Sequence, residues 1–224
     1  MNRKDYILFD LDGTLTDPKE GITKSVQHAL EHFGIQTDDL DSLTPFIGPP
    51  LRDSFKRYYG FSDEQAWEGV QAYREYFSVR GWVQNKEYPG IKEMLEALKE
   101  AGRVLLVATS KPEEFAKKIL DHFDMAEYFD FIGGADMGET RVRKADVIRY
   151  VLEQCGLESD NETIGRCVMV GDREHDVLGA RECGHGNAWA VLYGIWGTAE
   201  EMDACRPAWI AETVKDLRDL LLSL

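Results

Sequence analysis

Tyr6-Ile7-Leu8-Phe9-Asp10-Leu11-Asp12-Gly13-Thr14 carries an apolar run straight into two carboxylates. A short apolar run stopped by acids and a glycine reads as a buried strand whose polar residues gather at its carboxyl end. Acids placed that close repel one another and add nothing to a core. A cation or a chemical role has to offset them, and the rest of the chain shows which.

After Asp17-Pro18 the hydrophobic period changes. Ile22, Val26, Leu30 and Phe33 recur at three- and four-residue spacing, with Gly34 as a stop. Helices are also expected from Pro50 to Tyr59 and from Ser62 to Val79. The aromatics there (Phe55, Tyr58, Tyr59, Trp67, Tyr73, Tyr76 and Phe77) suit the core of a helical bundle. Beyond Pro89-Gly90, helices and strands alternate. A helix face formed by Ile91, Met94, Leu95 and Leu98 precedes a strand from Val104 to Ala108, and a helix through Phe115 to Phe123 precedes one from Tyr128 to Ile132. A helix through Val147 to Leu152 leads to a strand from Cys167 to Val170 and a short helix from Val177 to Arg181. Weaker strands from Ala188 to Leu192 and Ala208 to Ile210 precede a last helix from Val214 to Leu224.

Near-continuous apolar strands alternating with helices imply a parallel sheet covered on both faces. The expected fold class is α/β, a doubly wound parallel sheet interrupted after its first strand by an all-helical insertion. The expected domains are a core of residues 1–16 and 86–224 and a helical cap of residues 17–85.

Composition narrows the function. The 224 residues carry a net charge of −15, which argues against binding a nucleic-acid backbone. No stretch approaches the roughly 20 apolar residues of a membrane helix, and the N-terminal run is too short for a signal peptide. The four cysteines lie far apart without metal-ligand spacing, so reduced thiols and a cytoplasmic location are expected.

In doubly wound sheets ligands gather beyond the carboxyl ends of the strands. Asp10, Asp12 and Thr14 follow the first strand and Thr109-Ser110-Lys111 the second; the third leads to Arg141-Val142-Arg143-Lys144, and the fourth to Gly171-Asp172 through Asp176. Each station carries groups that bind phosphate or a hard metal. Converging carboxylates without paired His or Cys favour Mg²⁺. An EF-hand reading of Asp10-x-Asp12 fails, because its sixth and twelfth positions are Leu15 and Gly21. Lys144 opens a helix, where a cation faces the positive end of the dipole; a bound anion would remove that conflict. Thr109 and Ser110 suit helix capping before Pro112 as well as phosphate binding.

Together these four stations resemble the motifs of the haloacid dehalogenase superfamily, in order and over essentially the whole chain. The helical insertion is similar to that family's C1-type cap. Phe46-Ile47-Gly48-Pro49-Pro50-Leu51, Tyr88-Pro89-Gly90 and Val191-Leu192-Tyr193-Gly194 resemble its phosphoglycolate phosphatase-like branch. The resemblance implies a Mg²⁺-dependent phosphatase of small phosphomonoesters that works through an aspartyl-phosphate, phosphoglycolate phosphatase-like in its substrate. A 5′-nucleotidase-like phosphatase and a phosphomutase are the alternatives. Asp10 would be the nucleophile and Asp12 the acid and base. Mg²⁺ would be held by Asp10, the Asp12 carbonyl and Asp172, with Asp176 as a ligand or support. Thr109, the Ser110 amide and Lys144 would bind the phosphoryl oxygens. The partner is then a small phosphorylated metabolite, handled by a monomer or homodimer.

In the insertion, Gly48-Pro49-Pro50 makes a rigid turn before a helix. We expect Gly48 and Arg52 to contribute substrate specificity, and the crossings near Asp17 and from Trp82 to Tyr88 to act as hinges. Charge near Asp12 is expected to raise its pKa. His175 reads as a solvated helix residue, Arg141 and Arg143 as positive potential beside Lys144, and His28, His32, His122 and His185 form no ligand spacing.

Overall fold

The computed structural model describes residues 6–138, 140–157, 161–184, 188–194 and 196–224. His185 lies outside the described residues. The chain divides into two compact units, Met1–Asp17 with Glu87–Leu224, and Pro18–Lys86.

The larger unit is built on β1 (Tyr6–Phe9). Two-residue strands β2 (Thr16–Asp17) and β3 (Lys86–Glu87) stand at the unit boundaries. β4 (Val104–Pro112), β5 (Phe131–Ala135), β6 (Cys167–Gly171), β7 (Ala188–Val191) and β8 (Trp209–Ala211) complete the sheet with β1. Its order is β5-β4-β1-β6-β7-β8, and every pairing is parallel. The chain winds outward from β1 through β4 to β5, then returns to β6 on the other side of β1. That reversal opens a crevice at the carboxyl ends of β1, β4 and β6, where a ligand can reach the backbone.

Helices α1 (Lys19–His32), α2 (Leu51–Tyr59) and α3 (Asp63–Phe77) belong to the smaller unit. The larger one carries α4 (Ile91–Glu100), α5 (Glu113–His122), α6 (Lys144–Gln154), α7 (Asn161–Gly165), α8 (Glu174–Glu182), α9 (Ala199–Cys205) and α10 (Val214–Leu222). Leu8, Leu106 and Met169 share a core with Val147, Ile148 and Val151 of α6 and Val177 and Ala180 of α8. Ile7 and Phe9, on the alternate face of β1, are equally buried, and α4 packs with α10. Burial on both faces explains why β1 shows no apolar–polar alternation.

Two local expectations shift. The third long strand, expected from Tyr128, starts at Phe131, because Ala126–Tyr128 forms a 3₁₀ turn. Asp130 then fastens the strand entrance: its N–H donates to Leu105 O (2.8 Å) and its carboxylate accepts from Leu105 N (3.0 Å). α7 and α9 are only five and seven residues long, too short for the hydrophobic period to signal them.

In the smaller unit, α3 starts with a reciprocal Ser62–Gln65 capping box, and α1 and α2 both pack on α3. The aromatic filling holds for Phe55, Tyr73 and Phe77, which are buried. It fails for Tyr58 and Trp67, which are exposed. Trp67 lies on the outer side of α3 with the Arg74 guanidinium 5.6 Å from its ring centre, a contact that needs no burial.

Candidate active site

The β1 end is a tight loop. Asp10 N donates to Val170 O on β6 (2.9 Å), and Leu11 O accepts from Thr14, Leu15 and Thr16 N–H groups at 2.9–3.2 Å. Gly13 has φ +83°, and a Cβ there would lie 2.2 Å from Asp172 Oδ2. Conformation and space both demand glycine at this position, so the first motif and the fourth are in direct contact.

Asp10, Asp12, Thr109, Lys144, Asp172 and Asp176 are all buried at this edge. Lys144, the first residue of α6, sends its ammonium to Asp10 Oδ1 (2.9 Å), Asp176 Oδ1 (2.7 Å) and Ala108 O (3.0 Å). All three oxygens lie within 3.0 Å of the ammonium. The conflict of a cation at a helix N-terminus is therefore resolved by two carboxylates of the chain itself, not by the anion alone that the sequence suggests. Burial by itself would lower the Lys144 pKa; Asp10 and Asp176 outweigh it and hold the group above the ordinary lysine value.

Asp12 is raised above the usual carboxylate range, as expected, but for a different main reason. Burial is the largest cause, Lys111 pulls the other way, and the Asp10 charge adds a smaller push. Lys111 is the residue that sequence reasoning passed over: its Nζ lies 2.7 Å from Asp12 Oδ2, with side-chain exposures of 5% and 10%. Its place within Thr109-Ser110-Lys111 was the available signal.

Thr109 Oγ1 accepts from Lys111 N (3.2 Å), and Ser110 is half-buried within β4. The capping reading of these two fails, because β4 continues through Pro112, which itself occupies the N-cap position of α5. Arg141 turns to Gly134 O (3.0 Å) and to the Tyr150 ring (3.6 Å from its centre). Arg143 is exposed and pairs with Glu182 at 2.6 Å. His175 is half-buried in the first turn of α8. Gly48 has φ +100°, and Arg52 stands in the first turn of α2, 3.7 Å from Asp63.

The donor set fits a hard dication. One carboxylate oxygen from each of Asp10, Asp172 and Asp176 lies within 4.8 Å of the others. Both oxygens of Asp172 are buried without a hydrogen-bond partner among the described residues. Asp172 is pushed well above the ordinary carboxylate range by burial, then by Asp176 and Asp10, against Arg173 and Lys144. Uncompensated buried oxygens are costly, and a Mg²⁺ ion matches their chemistry. Asp176 is more fully engaged, with Oδ1 on Lys144 and Oδ2 accepting from Arg173 N (3.1 Å).

The segment after β7 ties the two acidic loops in place. Tyr193 Oη donates to Thr14 O (2.8 Å), and Tyr88 Oη donates to Gly194 O (3.2 Å). Their rings meet edge to face at 5.4 Å. Glu201 of α9 accepts from Arg173 Nε (3.0 Å) and Glu174 N (2.6 Å) beside the fourth motif. Burial raises the Tyr193 phenol well above its usual range, so it remains a donor. Tyr193→Phe is expected to cost about 1 kcal/mol, measurable by urea unfolding, because it leaves Thr14 O short of a donor.

Residues 7–190 match the family profile described as haloacid dehalogenase-like hydrolase. The chain is 46% identical over 217 residues to a 5′-nucleotidase of Pseudomonas aeruginosa, with 97% of this chain and 95% of that one covered. It is 40% identical over 217 residues to the tyrosine-protein kinase PtkA of Mycobacterium tuberculosis, covering 96% of this chain and 72% of that one. The crystal structure of a predicted phosphatase from Clostridium acetobutylicum superposes with a TM-score of 0.93 at 44% identity, covering 99% and 100% of the two chains. With the four stations gathered at one sheet edge and the match running through all of them, the chain belongs to the haloacid dehalogenase-like hydrolases.

Proposed function

We propose that the protein is a Mg²⁺-dependent phosphatase that hydrolyses small phosphomonoesters through an aspartyl-phosphate, with nucleoside 5′-monophosphates as the leading substrates. One observation carries the reading: buried Asp10, Asp12, Lys144 and Asp172 come together at the ends of β1 and β6 and the start of α6. The similarity to a protein named 5′-nucleotidase supports that substrate class over phosphoglycolate, the first choice from sequence.

Asp10 is the nucleophile, since a carboxylate needs no base to attack phosphorus. Asp12 holds the proton that the leaving oxygen takes, then removes one from the attacking water. Lys144, Thr109 and the Ser110 amide neutralise and orient the phosphoryl oxygens. Asp10, the Asp12 carbonyl and Asp172 would hold Mg²⁺, with Asp176 fixing Lys144 beside them. When bound, the ion screens Asp10 from the anionic substrate and stabilises charge on the transferring group.

The test is phosphate release from a panel of nucleoside 5′-monophosphates, phosphoglycolate and p-nitrophenyl phosphate, with and without Mg²⁺. Turnover without free phosphate would instead indicate transfer to a second acceptor, the phosphomutase alternative; no turnover on any ester sinks the proposal. Gly48 and Arg52 are assigned to substrate recognition. Arg52→Ala is expected to raise KM several-fold for the best substrate while lowering stability by under about 1 kcal/mol, because its pairing with Asp63 is exposed. An unchanged KM on every good substrate removes Arg52 from that role.

A further inference from the structure

Lys111 is a buried cation that the reaction scheme above does not use. It reaches the site through a break in strand register. Thr109 pairs with Gly134, but the next pair is Pro112 with Ala135, so β4 advances three residues while β5 advances one. The two surplus residues are Ser110 and Lys111. The bulge fits because Gly134 has no side chain: a Cβ there would lie 2.4 Å from Lys111 O. Bulges of this kind re-aim side chains beside active sites. Here the ammonium arrives 2.7 Å from Asp12 Oδ2.

The two oxygens of Asp12 are thereby made unequal. Oδ2 is held by Lys111, whereas Oδ1 is buried without a hydrogen-bond partner among the described residues. Lys144 cannot substitute for Lys111, since its ammonium is already engaged by Asp10, Asp176 and Ala108 O. We infer that Lys111 is a positioning residue, which fixes the Asp12 carboxylate through Oδ2 and leaves Oδ1 as the atom that exchanges the proton. This rests on the phosphatase reading. In the first step an Asp10 oxygen bonds to phosphorus, the bond from phosphorus to the ester oxygen breaks, and that oxygen takes the proton from Asp12 Oδ1. In the second, Oδ1 takes a proton from water, whose oxygen bonds to phosphorus as the Asp10–phosphorus bond breaks, giving inorganic phosphate, the Asp10 carboxylate and a protonated Asp12.

A misplaced acid harms a poor leaving group and hardly harms a good one. The experiment compares kcat/KM, which reports transfer to Asp10, for a nucleoside 5′-monophosphate and for p-nitrophenyl phosphate. Lys111→Met should lose about 100-fold on the nucleotide, the scale of acid–base catalysis, and only a few-fold on the nitrophenyl ester. It should add little in the Asp12→Asn background, because partners acting through one another are not additive. Equal losses on both esters, or an additive loss with Asp12→Asn, would overturn the inference while leaving the phosphatase reading intact. If Lys111→Met does not fold, Lys111→Arg serves: it keeps the charge but changes its reach, and the same ratio of losses decides. Wild-type protein that releases phosphate from neither ester overturns the phosphatase reading and this inference together.

Discussion

Asp10→Asn is expected to reduce Mg²⁺-dependent phosphate release by about 10⁴-fold or more, the scale seen when an enzyme loses its nucleophile. An amide cannot form the aspartyl-phosphate, and no neighbour can stand in. Asp12 is held by Lys111, Asp176 by Lys144 and the Arg173 amide, and Asp172 is proposed to hold the metal. The fold should survive. Lys144 keeps Asp176 and Ala108 O as partners, and one of several crowded buried carboxylates becomes neutral, which relieves repulsion. Circular dichroism and a melting temperature at or above wild type would show that the loss is chemical. Full activity in this variant would mean that the nucleophile has been misassigned.

The second large effect is on metal removal. Chelation should abolish phosphate release and Mg²⁺ should restore it. Binding should also stabilise the fold, by about 2.7 kcal/mol at a hundredfold excess over Kd. That gain should depend on pH. The folded-state pKa of Asp172 lies above its unfolded value. Above about pH 4 the unfolded chain has released this proton while the folded chain still holds it. The unfolded state then binds fewer protons, so Asp172 makes the metal-free protein less stable as pH rises through its folded-state pKa. A dication that binds the ionised cluster reverses this penalty. The Mg²⁺-induced rise in melting temperature should therefore be larger near about pH 8 than near about pH 5. A rise that is equal at both, or absent, would argue against these carboxylates as the metal site.

Much of this could be read locally. β1 announces itself because it is apolar throughout and ends in acids, and α6 begins at Lys144 where the period of Val147, Ile148 and Val151 places it. Other features escaped because their causes are not local. β5 starts three residues late, since a turn occupies Ala126–Tyr128 and the Asp130 carboxylate is engaged by Leu105 of a neighbouring strand. Tyr58 and Trp67 carry a core composition but lie on outer helix faces, a distinction that only packing makes. Tyr193 was visible as part of a motif, while its bond to Thr14, 179 positions away in sequence, was not.

The sequence by itself determined the α/β class, the helical insertion and the chemical types at each strand end, because period and composition act over a few residues. Only the tertiary structure decided how the charges pair. Lys144 is taken up by Asp10 and Asp176, and a bulge that Gly134 permits turns Lys111 onto Asp12. The physical reason is distance: period and turn chemistry act between neighbours in sequence, whereas buried charges answer to whatever the sheet register sets within a few ångströms of them.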